Sequence, residues 1–238
     1  MDNVSLTPFV PLGDVLRALR GQAELPGIDA SDRGVLGEVA RWTADFLCQP
    51  HPDLGRSGDV CPYTEVSMRE DLLMAAVCHV FDADPRPAMA SVMLEALREY
   101  EARAPRLGNK VGLKATLVLF PSLEDLWIEA VQEELSGEFA ARGLMLGEFH
   151  AESEAPGLHN PHFRPLRSPI PLLGIRAMML TDLPFLMHSD DGLSHYLRRF
   201  GDAALKAITA HLKSPSLHAT DDDVYERLEA ALMGLHPM

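Results

Sequence analysis

The segment Gly157–Pro171 carries two histidines, two arginines and four prolines in fifteen positions. Proline fixes φ and removes a backbone donor, so a stiff, extended loop is expected here, neither helix nor central strand. A stiff loop holds its side chains still. His159 offers an imidazole nitrogen to a metal or to heme iron. Arg164 and Arg167 carry permanent charge on planar forks that suit carboxylates or phosphates. One imidazole and two guanidiniums on one rigid segment are what a heme needs: an axial nitrogen for the iron and cations for the two propionates. The same residues have a plainer use. His159 would then be a surface or hydrogen-bonded loop residue, and both arginines would pair with nearby acids.

Other groupings are weaker. His150, His159 and His162 fall at the end of an expected strand and in the loop after it. Two of them with Glu148 or Glu152 could make a non-heme iron or zinc site, although the spacing matches no strong motif. His79 lies within an expected strand, either facing the same site or serving as a hydrogen-bonded core residue. Cys61, followed by Pro62, is a minor candidate for a thiolate nucleophile, and Cys78 reads as core packing. No G-x-S-x-G is present, and Gly55-Arg56-Ser57-Gly58 lacks the lysine and the helix of a phosphate-binding loop. No C-x-x-C-H is present either, so a heme would be heme b without covalent attachment.

Composition narrows the classes. The chain has 238 residues, 47% of them hydrophobic and 24% charged, enough for a real core. A net charge of −14 argues against nucleic acid and anionic membranes as partners, since both need a basic face. The central arginines then stand out as a local basic patch. No run approaches the ~18 apolar residues of a membrane helix. Met1–Ser5 shows no signal-peptide pattern. Three unevenly spaced cysteines form neither a zinc pattern nor a disulfide framework, which points to a reducing cytoplasm.

The elements that must hold these residues follow from periodicity. Helices are expected over Val10–Leu19, from a Ser31-Asp32 cap to Leu47, over Pro85–Arg103 and from a Ser122 cap to Phe139. Strands are expected over Leu72–Phe81, Leu113–Phe120, Gly143–His150 and Leu172–Met178. Further helices begin at Asp182 and span Ser194–Leu212 and Asp221–Leu235, the last capped by the acidic run Thr220–Asp223. The order predicts a single α+β domain over 1–238. It has a helical N-terminal segment (1–50), an α/β core (60–180) and a helical C-terminal segment (181–238). The sheet is expected to be buried, mainly antiparallel and of about four strands.

At the central loop the chain resembles the YqcI/YcgG family of bacterial heme proteins. The likeness rests on Gly157-Leu158-His159, then Arg164, Arg167, Pro169-Ile170-Pro171 and the strand opening Leu172-Leu173. Upstream, Leu119-Phe120-Pro121 stands where the family ends a strand before a helix, and Cys61-Pro62 inverts its Pro-Cys. Arg176 replaces the family's Asn after the final strand. The stretch from Val60 to Met178 also looks like a related uncharacterised bacterial family found near natural-product genes. The resemblance implies heme b with His159 as axial ligand and Arg164 and Arg167 on the propionates. It also implies oxygen- or peroxide-dependent oxidation of a small nitrogenous metabolite, with an electron donor that the sequence leaves unnamed. Ser67, Tyr63, His79 and His150 are candidates to line the distal side. A homodimer stays open. The contrasting expectation is a heme-free protein whose loop arginines bind an acidic metabolite or a partner chain.

Overall fold

The structure is a computed structural model that describes residues 3–103, 108–213 and 222–234. The chain divides into two compact units. One comprises the residues up to Leu135 together with Leu146–Ala177, and the other Ser136–Met145 and the residues from Met178 onward.

The first unit opens with two short strands, β1 (Val4–Leu6) and β2 (Val10–Pro11), and a helix, α1 (Leu12–Leu19). Helical spacing begins at Val10, but Pro11 has no N–H to give and takes the position before the helix. Helix α2 (Ala30–Trp42) is capped by Asp29, whose side chain accepts from the Asp32 N–H, two residues ahead of the expected Ser31 cap. A turn of π-helix, Thr43–Leu47, continues it. Helix α3 (Thr64–Arg69) is too short to have left a periodic signal.

The sheet then forms from β3 (Leu73–Val80), β4 (Ala115–Leu119), β5 (Leu144–Phe149) and β6 (Leu172–Ala177). Helix α4 (Arg86–Ala102) joins β3 to β4, and α5 (Asp125–Ala141) joins β4 to β5. The α+β class is as expected. The order is β1-β3-β4-β6-β5, with β2 also on β3, so two short strands join the four longer ones. Strands β3 and β4 run parallel, as a helical crossover requires, while β1 and β2 on β3, and β6 on β4, are antiparallel.

Strand β3 is buried along nearly its whole length, with α1 and α2 packed on one face. Leu73, Ala75 and Val77 join Leu12, Val15, Leu36 and Val39 of α1 and α2 in one core, together with Leu119 and Leu172. Helix α4 packs on β4 and β6.

In the second unit, α6 (Leu183–Leu186), α7 (Asp190–Phe200), α8 (Asp202–Leu212) and α9 (Asp222–Leu232) bury Leu186, Leu193, Tyr196, Ile208 and Leu228. The single helix expected over Ser194–Leu212 is two helices. Gly201 breaks it at φ 49°, a conformation glycine adopts at little cost. The Thr220-Asp221 part of the expected final cap lies outside the described residues. No helix among the described residues is long and apolar enough to cross a membrane.

Candidate functional site

The chemistry-bearing side chains of the first unit gather where β3 and β4 end and β6 begins. Phe120 donates its N–H to the Pro171 carbonyl at 2.8 Å, and Ser168 donates to the His150 carbonyl at 3.2 Å. The ends of β4 and β5 and the start of β6 therefore lie together. Crevices at the carboxyl ends of parallel strands are the usual ligand positions of α/β sheets.

His79 reaches this edge by alternation. Leu73, Ala75 and Val77 face α1 and α2, so the next odd residue of β3 faces α2 as well. There its Nε2 lies 2.8 Å from Oδ1 of Asp32, a buried carboxylate in the first turn of α2. Its Nδ1 lies 3.5 Å from the Ser122 hydroxyl. His79 is hydrogen-bonded as expected, but a quarter of its side chain is exposed, so it is not a core residue. Ser122 does not cap α5, which starts three residues later at Asp125.

His150 follows β5 on the face of the sheet that α5 covers. Only 1% of its side chain is exposed. Nδ1 lies 3.2 Å from Asp125 Oδ2 and Nε2 lies 3.3 Å from Glu129 Oε1. These are ion-pair distances, but neither ring nitrogen is aimed well enough for a hydrogen bond. Asp125 also accepts the Glu152 N–H at 3.1 Å, tying α5 to the loop. Glu148, two residues back on the same face, has its carboxyl pushed up by burial first and by Glu129 second, with His150 opposing.

The loop after His150 is braced by its neighbour, residues 50–60. Asn160 donates from Nδ2 to the Asp53 carbonyl at 2.8 Å and accepts the His162 N–H at 3.0 Å. Gly55, at φ 77°, passes so close that a Cβ would lie 2.6 Å from the His159 carbonyl oxygen. His51 stacks on Phe163 with ring centroids 4.7 Å apart, above Leu54 and Val60. The His159 backbone is thus fixed. Its ring is exposed and makes no hydrogen bond or ion pair with the described residues.

Both predicted arginines meet one acid. Arg164 Nε donates to Glu154 Oε2 at 3.0 Å, and Arg167 Nη2 donates to Oε1 at 2.5 Å. Arg164 Nη1 also donates to the Pro161 carbonyl, and Arg167 Nε to that of Ser153. These two guanidiniums hold the Glu154 carboxyl below its usual range, Arg164 contributing most.

For a heme the fit is divided. His159 fits an axial ligand: a fixed backbone with a free imidazole. The arginines fit propionates only with Glu154 displaced, or through Arg164 Nη2 and Arg167 Nη1, which take no part in these bonds. One cleft lies beside Val15, Leu25 and Arg33 and another on α8, and none of the three loop residues lines either.

The non-heme site expected from His150, His159 and His162 with Glu148 or Glu152 is not formed. Among the described residues no three His, Cys, Asp or Glu side chains are grouped to hold a metal. The reason is burial: His150 is turned into α5, while His159 and His162 are exposed on the loop. Of the expected distal residues, Ser67 has its buried hydroxyl placed on the Tyr63 and Leu113 carbonyls. Sequence reasoning took Asp32 and Ser122 only as helix caps and missed Asp125 and Glu129. Only the strand alternation that aims His79 at α2 could have pointed to any of them.

A family profile described as a domain of unknown function, DUF6875, matches residues 36–211, more than half of the chain. The chain belongs to the DUF6875 family. The DUF6875 match takes in His79, Ser122, His150 and the whole loop, and begins just after Asp32. No curated protein and no solved structure matches the chain.

Proposed function

We propose that this DUF6875 chain is a heme b protein of the cytoplasm that oxidises a small nitrogenous metabolite, using oxygen or peroxide and an external electron donor. The observation that carries the reading is His159, a free imidazole on a backbone locked by Gly55 and Asn160. The loop's likeness to the YqcI/YcgG heme proteins supports it. Heme would supply the redox chemistry. The chain's own part is to present the His159 nitrogen, to place Arg164 and Arg167 near the propionates, and to bury apolar strands behind the loop.

A second reading has its own observation. Glu154 satisfies both arginines, as in a heme-free protein whose loop is a self-paired surface or takes an acidic metabolite in exchange for Glu154. Titrating hemin into the purified chain, with melting curves on the same samples, separates the two. The heme reading expects a Soret band near ~400 nm, the usual region for protein heme. His159→Ala should lose it, while Arg164→Ala and Arg167→Ala should each weaken affinity roughly ten- to a hundred-fold, the loss of one charge-assisted bond. Glu154→Ala should tighten hemin by removing the competing carboxylate. A colourless protein that ignores hemin overturns the heme reading. Equal melting losses in both arginine variants, with hemin affinity unchanged, favour the second.

A further inference from the structure

We propose that Ser122 is a nucleophile, with His79 its general base and Asp32 the residue that positions the base, and that the site acts on small apolar acyl esters. Three features carry this. The contacts form one chain: Asp32 Oδ1 to His79 Nε2 at 2.8 Å, then His79 Nδ1 to Ser122 Oγ at 3.5 Å. Nucleophile, base and orienting acid in series are the working parts of serine acyl transfer. Such contacts are commonly looser before substrate binds.

The burial gradient runs the right way. Asp32 is buried, His79 is three-quarters buried and Ser122 is exposed. A carboxylate kept from water holds the imidazole firmly, while the hydroxyl stays in reach of an incoming ester. Asp32 also decides the tautomer. It accepts from Nε2–H, which leaves the Nδ1 lone pair toward the hydroxyl.

The surroundings suit an apolar acyl group. Phe81 is 69% exposed and lies parallel to the His79 ring, with centroids 6.3 Å apart. A large apolar side chain left in water beside a polar triad gives a hydrophobic acyl chain something to cover.

The step balances without a cofactor. Ser122 Oγ bonds to the acyl carbon as its proton passes to His79 Nδ1. The ester's C–O bond breaks, and the departing alcohol takes that proton. Water then repeats the sequence, releasing the acid and restoring Ser122. None of these groups belongs to the 157–171 loop, so the site stands whether or not hemin binds.

The test is covalent labelling of the full chain with a fluorophosphonate, followed by peptide mapping. The expected result is one adduct, on Ser122. Ser122→Ala, a surface change that leaves melting unaltered, should give none. His79→Gln and Asp32→Asn should label at least about a hundred-fold more slowly, the lower range of general-base effects. Asp32→Glu should recover part of that rate where Asp32→Asn does not, a rescue that a purely structural tether would not produce. Wild-type protein that gives no adduct at Ser122 in excess reagent overturns the proposal. So does labelling at the wild-type rate in His79→Gln, which would leave Asp32–His79 as a fastening between α2 and β3.

Discussion

Single residues differ in what burial does to them. Glu148 is held above the usual carboxyl range, so folding favours its protonated form. Stability from a group raised in this way is present below its unfolded value and is lost as pH rises through the folded one. Glu148→Gln should therefore raise the melting temperature at pH 7, with the gain gone by pH 4, in paired melts at the two pH values. His150 is buried with a carboxylate beside each ring nitrogen. His150→Ala should cost about 1–3 kcal/mol in urea unfolding, moderated because Glu129 is half in water and can rehydrate. The cysteines are equally distinct. Burial pushes the Cys48 and Cys78 thiols up to about 12, whereas Cys61 is partly exposed. A thiol reagent on the native chain should count one fast sulfhydryl, abolished in Cys61→Ser, and three after unfolding in urea.

At the level of elements, the longer pieces were legible because their patterns are local. The apolar run Leu72–Phe81 became β3, and the helix expected over Pro85–Arg103 became α4, with Met89, Met93 and Leu97 buried. The parallel β3–β4 pair follows from the helix between them. What the sequence hid depends on contacts between distant residues. Strands β1 and β2 are too short to alternate and exist because β3 offers an edge. The Asp32–His79–Ser122 chain joins a helix start, a strand end and a turn, and the Arg164–Glu154–Arg167 grouping needs the loop to fold back on itself. The stiff loop itself was readable from its prolines, but its brace was not. That brace can be broken at Gly55, where a side chain meets both the left-handed backbone and the His159 carbonyl. Gly55→Ala should destabilise by more than about 1 kcal/mol. It should also speed hydrogen exchange of the 157–163 amides, measured beside a melting curve.

For the whole molecule, charge and strand order set the terms. A net charge of −14 means that the folded chain repels itself. Raising NaCl from 10 to 200 mM should screen this, and a gain of about 1 kcal/mol would lift the melting temperature by roughly 2–4 °C. A fall with salt would mean that local ion pairs such as Arg167–Glu154 outweigh the overall repulsion. Strand order has a different consequence, in time. Strand β4 sits between β3 and β6, and its partner residues Leu119 and Leu172 are far apart in the chain. At about 5–20 residues per second, a ribosome needs roughly 3–10 seconds to make the stretch between them. During that interval the nascent chain carries an apolar strand with one side unpaired, the kind of edge that recruits other chains. The high contact order of this sheet makes late synthesis the vulnerable stage. Chains stopped near residue 150 should accumulate as aggregates, where the 238-residue chain does not.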